Sequence, residues 1–126
     1  MLKEGSATEA IAFHSIKHHL IPRVTPQQYV IPEAEYYRVV QEIENGGNNI
    51  LVDTEKEFEA AGVKVQTILV KEQEPEEYAI DAVDKEGVDL VVLGCKGSHS
   101  KMRQIFLGTV PSRLLNAARC DVLVVR

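Results

Sequence analysis

Apolar positions recur along the chain with two alternating periods, most clearly toward the C-terminus. Asp121-Val122-Leu123-Val124-Val125-Arg126 is a short apolar run, the pattern of a buried strand. Before it, Thr109 to Ala118 has helical spacing, with Val110, Leu114, Leu115 and Ala118 on one face. Thr109 suits the N-cap, and Pro111 is tolerated in a first turn. Val88 to Leu93 is nearly continuous in apolar residues, as in a parallel sheet covered on both faces. Pro75 to Glu86 predicts a helix, opened by proline, with Glu76 and Glu77 in its first turn and Gly87 as its stop. Its apolar face is Tyr78, Ala79, Ala82 and Val83. Val63 to Val70 predicts a further strand. Ile50 to Ala61 predicts a helix with Ile50, Leu51, Thr54, Phe58 and Ala61 on one stripe, ended by Gly62. Strand, helix, strand, helix, strand in this order implies right-handed parallel βαβ units and an α/β fold.

The first half is less regular. Glu33 to Glu44 has a helical stripe through Tyr37, Val40 and Ile43. Gly46-Gly47-Asn48-Asn49 then interrupts it, as either a kink in one long helix or a loop between two. Thr25 to Pro32, with two prolines, predicts a loop; Ala7 to His18 has weak helical character. His19-Leu20-Ile21 has the composition of a strand end, closed by Pro22.

At 126 residues the chain is expected to form a single domain, 1–126, with a core of its own. Its net charge of −5 argues against general nucleic-acid or membrane-surface binding. No apolar run approaches the roughly 18 residues of a membrane helix. Met1 to Ser6 lacks a signal-peptide apolar core. Two cysteines, Cys95 and Cys120, make no disulfide framework, so a cytoplasmic, reducing location is expected.

The charge is unevenly placed. From Leu90 to Cys120 there is no Asp or Glu, but there are five basic residues: Lys96, Lys101, Arg103, Arg113 and Arg119. Within this stretch Gly94-Cys95-Lys96-Gly97 is followed, ten residues on, by Gly108-Thr109. Glycines let a backbone approach phosphate oxygens closely. Gly108-Thr109 leads into a helix N-terminus, whose free N–H groups favour anions. The spacing is neither a Walker A loop nor the dinucleotide fingerprint. On spacing alone it fits phosphate binding or a plain turn-rich connection.

The residues around the loop narrow that choice. Val88-Asp89-Leu90-Val91-Val92-Leu93-Gly94-Cys95-Lys96-Gly97, Phe106-Leu107-Gly108-Thr109-Val110, Asn116 to Val125 and Ala60-Ala61-Gly62-Val63-Lys64-Val65 resemble the universal stress protein (UspA-like) family. The resemblance is strong from about Phe58 onward and faint before it. It implies a five-stranded, flavodoxin-like (Rossmann-like) α/β sandwich with a mostly parallel sheet, usually a homodimer. It also implies ATP binding, with or without magnesium, through Gly-x2-Gly-x9-Gly-(Ser/Thr). On that basis Gly94 and Gly97 line the ribose and phosphate side, with Lys96 between them. Gly108, Thr109 and Val110 hold the phosphates, Leu93 flanks the adenosine, and Leu20, at the end of the second strand, packs near adenine. The resemblance also implies a homodimer through Asp121 to Arg126, an edge that is exposed unless paired.

The chain departs from the pattern in three places. The interval between Gly97 and Gly108 is one residue longer than the family's. Asp121 stands where the family often has proline. The family opens with a hydrophobic strand ending in Asp, whereas only Met1-Leu2-Lys3 precedes Glu4 here, so the N-terminal strand is short or missing. Either the chain is truncated or its N-terminal region is built differently.

Other constellations compete for a role. His14 and His18 have the spacing of one helix face, suited either to a metal or to surface packing. Cys95 beside Lys96 is either a reactive thiol or a small strand-end residue. His99, Ser98 and Ser100 are phosphate contacts or loop polarity. The carboxylates from Glu55 to Glu86 read as solvated helix faces. No acid/base or nucleophile constellation stands out. The expected function is that of a stress-type regulatory protein, not an enzyme, binding ATP through Gly94–Thr109. The alternative is a dimeric interaction module of the same fold whose loop is only structural, and a nucleotide-hydrolysing enzyme ranks third.

Overall fold

The computed structural model describes residues 9–94 and 109–125. They fall into two compact units, divided between Glu74 and Pro75.

In the first unit, β1 (Glu9–Ser15) and β2 (Lys64–Val70) pair in parallel, with Phe13 opposite Ile68 and Ser15 opposite Val70. The ladder runs one step further, because the Ile16 N–H donates to Val70 O at 2.9 Å. Helix α1 (Glu33–Ala60) makes the crossover and packs on both strands. Ile16, Leu51 and Val70 are buried between them. The Ser15 hydroxyl donates to Gln73 O at 2.7 Å, fastening the end of β1 to the segment that leaves β2.

Three expectations for this half change. The segment read as weakly helical, Ala7 to His18, contains β1, followed by a 3-10 turn at Lys17–His19. Ala10, Ile11, Ala12, Phe13 and His14 are all partly covered, so both faces of the strand are used and no alternation marks it as one. The strand therefore ends at Ser15, not at His19-Leu20-Ile21. The Tyr37 side chain, placed on the apolar stripe by spacing, is 71% exposed. It is Tyr36 that turns inward, and its hydroxyl donates to Ile21 O at 2.9 Å.

The glycine pair does not break the helix; α1 is continuous for 28 residues. Each glycine costs about 1 kcal/mol in helix propensity relative to alanine. At Gly46 that cost has no packing return, since a Cβ there would meet nothing within 4 Å. At Gly47 a Cβ would lie 2.7 Å from Leu69 Cδ1, 3.1 Å from Ile16 Cγ2 and 3.3 Å from His14 Cδ2. Gly47 is where the helix rests directly on the sheet, so packing overrides propensity. The stop at Gly62 is as expected. Its φ is +74°, the Gly62 N–H donates to Glu59 O and the Val63 N–H to Phe58 O, a Schellman closure.

In the second unit, α2 (Pro75–Glu86), β3 (Leu90–Gly94), α3 (Thr109–Ala117) and β4 (Asp121–Val125) follow in order. β3 and β4 pair in parallel, Leu90 opposite Asp121 through Gly94 opposite Val125. Gly87, at φ +64°, ends α2 where the sequence placed its stop. Ala79, Val83 and Leu114 form the core between α2 and α3. The strands are covered on one face more than the other: Leu90, Val92, Leu123 and Val125 remain about half exposed. That differs from the even burial suggested by their continuous apolar runs.

Glu76 is not a solvated helix-face carboxylate. It is 5% exposed, and Arg113 Nη1 donates to its Oε1 at 3.0 Å, joining α2 to α3. Removing the guanidinium leaves a desolvated carboxylate without its cation. Because the Arg113 side chain is 60% exposed and water can approach, the loss is about 1–3 kcal/mol, short of that for a fully buried pair. Arg113→Met is therefore expected to lower the urea midpoint measurably, with Arg113→Lys intermediate. Equal midpoints for wild type and Arg113→Met would show that the pair contributes nothing.

Candidate nucleotide loop and histidine cluster

The residues singled out for a nucleotide are distributed unevenly over the described structure. Leu93 and Gly94 close β3, paired with Val124 and Val125. Thr109 and Val110 open α3. The segment between them leaves the carboxyl end of a parallel strand and returns at a helix N-terminus, the place where open α/β sheets bind ligands. Lys96, Gly97 and Gly108 lie outside the described residues, as do Cys95, Ser98, His99 and Ser100. Leu20 belongs to the first unit, five residues past the end of β1, where its N–H donates to Lys17 O at 3.2 Å.

Two local features bear on this loop. At Gly94 a Cβ would meet only Val125 O, at an ordinary 3.9 Å, so packing among the described residues does not demand a glycine there. The first turn of α3 holds no acidic residue, whereas α1 carries Glu33 and Glu35 and α2 carries Glu76 and Glu77. The helix dipole at α3 is therefore not countered by its own side chains. The cationic stretch is weaker than its count suggests, because Arg113 is engaged by Glu76. That engagement was invisible in the sequence, where the two residues stand 37 apart.

The histidines form a second cluster, and not on a helix. His14 is on β1, while His18 and His19 sit in the 3-10 turn, so the helix-face spacing read from the sequence does not exist. The His18 and His19 rings lie 3.9 Å apart at 43°. A cavity of about 350 Å³ between this region and α1 is lined by His14, Ile16, His19, Glu42, Gly47 and Ile50, among others. Among the described residues no three His, Cys, Asp or Glu side chains are grouped to hold a metal ion. Burial, and next the neighbouring His19 and His18, hold the His14 imidazole below its ordinary value. Cys120 is a free thiol, pushed up chiefly by burial, which disfavours the reactive thiolate.

A family model described as Universal stress protein family matches residues 4–126. The chain is 29% identical over 103 residues to Universal stress protein MJ0531 of Methanocaldococcus jannaschii, covering 82% of this chain and 59% of that protein. It is 28% identical over 96 residues to Universal stress protein YxiE of Bacillus subtilis, covering 76% of this chain and 64% of that one. The chain thus spans about three-fifths of the length of these curated relatives. Among solved structures, hypothetical protein MJ0577, a structural-genomics test case for assigning biochemical function, superposes with TM-score 0.73 at 25% identity. That match covers 98% of this chain and 78% of the other. Universal stress protein UspA from Lactobacillus plantarum gives 0.69 at 18% identity, covering 92% and 76%, a likeness of fold.

The packing at Gly47 yields a direct test. Gly47→Ala places its methyl group 2.7 Å from Leu69 Cδ1, and Gly47→Val adds further volume. Overpacking of this kind costs typically about 1–3 kcal/mol, against about 1 kcal/mol of helix propensity gained by alanine. Gly46→Ala, in open space, should stabilise instead. The expected thermal order is Gly46→Ala above wild type and Gly47→Val well below it. Gly47→Val melting at or above wild type would refute the close approach.

Proposed function

Since the chain belongs to the universal stress protein family, we propose that it is a stress-type regulatory protein binding an adenine nucleotide through the Gly94–Thr109 loop. One observation carries the reading: α3 begins with no carboxylate in its first turn, at the end of a glycine-spaced loop that leaves the carboxyl end of β3. The N-terminus of a helix suits a phosphate. The open position at Gly94 supports the same reading, because a glycine that packing does not require leaves room for a ligand. In the proposal Gly94 and Gly97 give the ribose and phosphates close access to the backbone, and Lys96 adds charge. Gly108, Thr109 and Val110 receive the terminal phosphates at the helix N-terminus. Leu93, at the end of β3, supplies apolar surface for adenosine. ATP is the proposed nucleotide, with or without magnesium.

The protein is proposed to be a binding module and not an enzyme, acting in the cytoplasm. A homodimer is proposed through Asp121 to Arg126. β4 pairs with β3 and with no other strand among the described residues, so its outer edge is available to a second copy. Among the described residues no helix is long and apolar enough to cross a membrane. One observation favours the alternative, a dimeric interaction module that binds no nucleotide: the Glu76 pair removes Arg113 from the charge available to phosphates.

Nucleotide binding is tested by denaturing the purified protein and chromatographing the released small molecules, then by melting with Mg-ATP. Saturation at 100 times Kd stabilises by about 2.7 kcal/mol, a shift of several degrees. Gly97→Val and Gly108→Val are expected to abolish that shift while the sedimentation coefficient stays that of a dimer. If no nucleotide is recovered and Mg-ATP leaves the melting temperature unchanged, the interaction-module reading stands instead. ATP turnover above the uncatalysed rate would contradict the non-enzymatic assignment.

A further inference from the structure

The histidine cluster has no part in the proposed nucleotide site and rests on different contacts. His14 pairs with Leu69 across the β1–β2 ladder. Its ring reaches the face that meets α1, since a Cβ on Gly47 would lie 3.3 Å from His14 Cδ2. The same glycine position approaches Leu69 and the buried Ile16, so the imidazole stands among apolar groups where the helix comes closest to the sheet. His18 and His19 follow within one turn, and His19 lines the same cavity. We propose that His14, set beneath Gly47 and flanked by His18 and His19, makes the seating of α1 on the β1–β2 sheet acid-sensitive, loosening the helix as the medium falls from neutral to mildly acidic pH.

Burial decides the direction, and the neighbouring histidines act the same way. From the 3-10 turn come His18 and His19, both exposed. From α1 comes Glu42, exposed, which lines the same cavity. Glu44 of α1 is engaged by Lys71, just beyond β2, at 3.2 Å. β2 itself presents the uncharged Leu69. Burial, and next His19 and His18, hold the His14 imidazole below its ordinary value of 6.5. The sign of the linkage follows. Above pH 6.5 both folded and unfolded chains carry a neutral His14, and stability is full. As pH falls through 6.5 toward the lower folded value, the unfolded chain takes the proton first and stability declines. The decline is at most one proton's worth, about tenfold in the folding equilibrium constant per pH unit.

The test pairs an NMR titration of the imidazole resonances with urea unfolding at pH 7.5 and 5.5. In wild type, His14 should titrate below 6.5, and the urea midpoint should fall between the two pH values. His14→Phe should flatten that fall. His18→Gln with His19→Gln, both exposed positions, should move the His14 titration upward and shrink the acid loss. Should His14→Phe fail to fold, the double variant carries the test unaided. A wild-type His14 titrating at 6.5 or above would overturn the proposal. So would a double variant with unchanged titration and unchanged acid loss.

Discussion

The first unit depends on one close approach, that of the α1 backbone to the β1–β2 sheet at Gly47. A two-stranded parallel sheet has little stability alone, and here it is held by a helix lying across both strands. The distance of that crossing is set by the absence of a Cβ at one position. With Gly47 against Leu69, Ile16 and His14, Leu51 one turn on is also brought to the sheet and buried. The length of α1 is a consequence as well. A 28-residue helix through Gly46-Gly47-Asn48-Asn49 is poorly favoured by propensity, and it persists because its middle is the part most firmly packed.

The second unit is organised differently. Its helices meet through small side chains, Ala79 and Val83 against Leu114, and through a charge pair between Glu76 and Arg113. Glu76 has two environments to satisfy. It sits in the first turn of α2, where the dipole favours a carboxylate, and it is buried, where only a partner makes a charge tolerable. Arg113 supplies the partner from α3, the helix that also opens at the end of the glycine-spaced loop. The pair therefore anchors α3, with Arg113 four residues from Thr109, the first residue of that helix.

The elements most legible in the sequence are those whose ends are marked by backbone chemistry. Gly62 and Gly87 adopt positive φ at the helix ends where spacing placed them. Continuous apolar runs identify β3 and β4, and an alternation passing into an apolar run identifies β2, each to within about two residues. β1 was not legible, because Ala10, Ala12 and His14 on one face and Ile11 and Phe13 on the other give neither strict alternation nor a helical stripe. Its identity comes from pairing with β2, a partner more than fifty residues away in sequence. The glycine pair misleads for the same reason: nothing linear distinguishes Gly46, in open space, from Gly47, pressed on the sheet. The loop residues Gly94, Thr109 and Val110 were legible as strand and helix ends; the Glu76 partner of Arg113 was not.

That last contact alters how the cationic stretch should be read. Five basic residues without an intervening carboxylate suggest a charge for an anion to meet, but a count treats each side chain as free. Arg113 is not, so part of the asymmetry serves the protein's own carboxylate. A helix N-terminus is a different kind of charge. Its N–H groups are fixed by the backbone, and an acidic side chain in the first turn or a bound anion complements them. α1 and α2 carry such residues and α3 does not. The proposed anionic ligand is therefore supported less by how many lysines and arginines surround the loop than by α3, whose first turn, unlike those of α1 and α2, holds no acidic side chain.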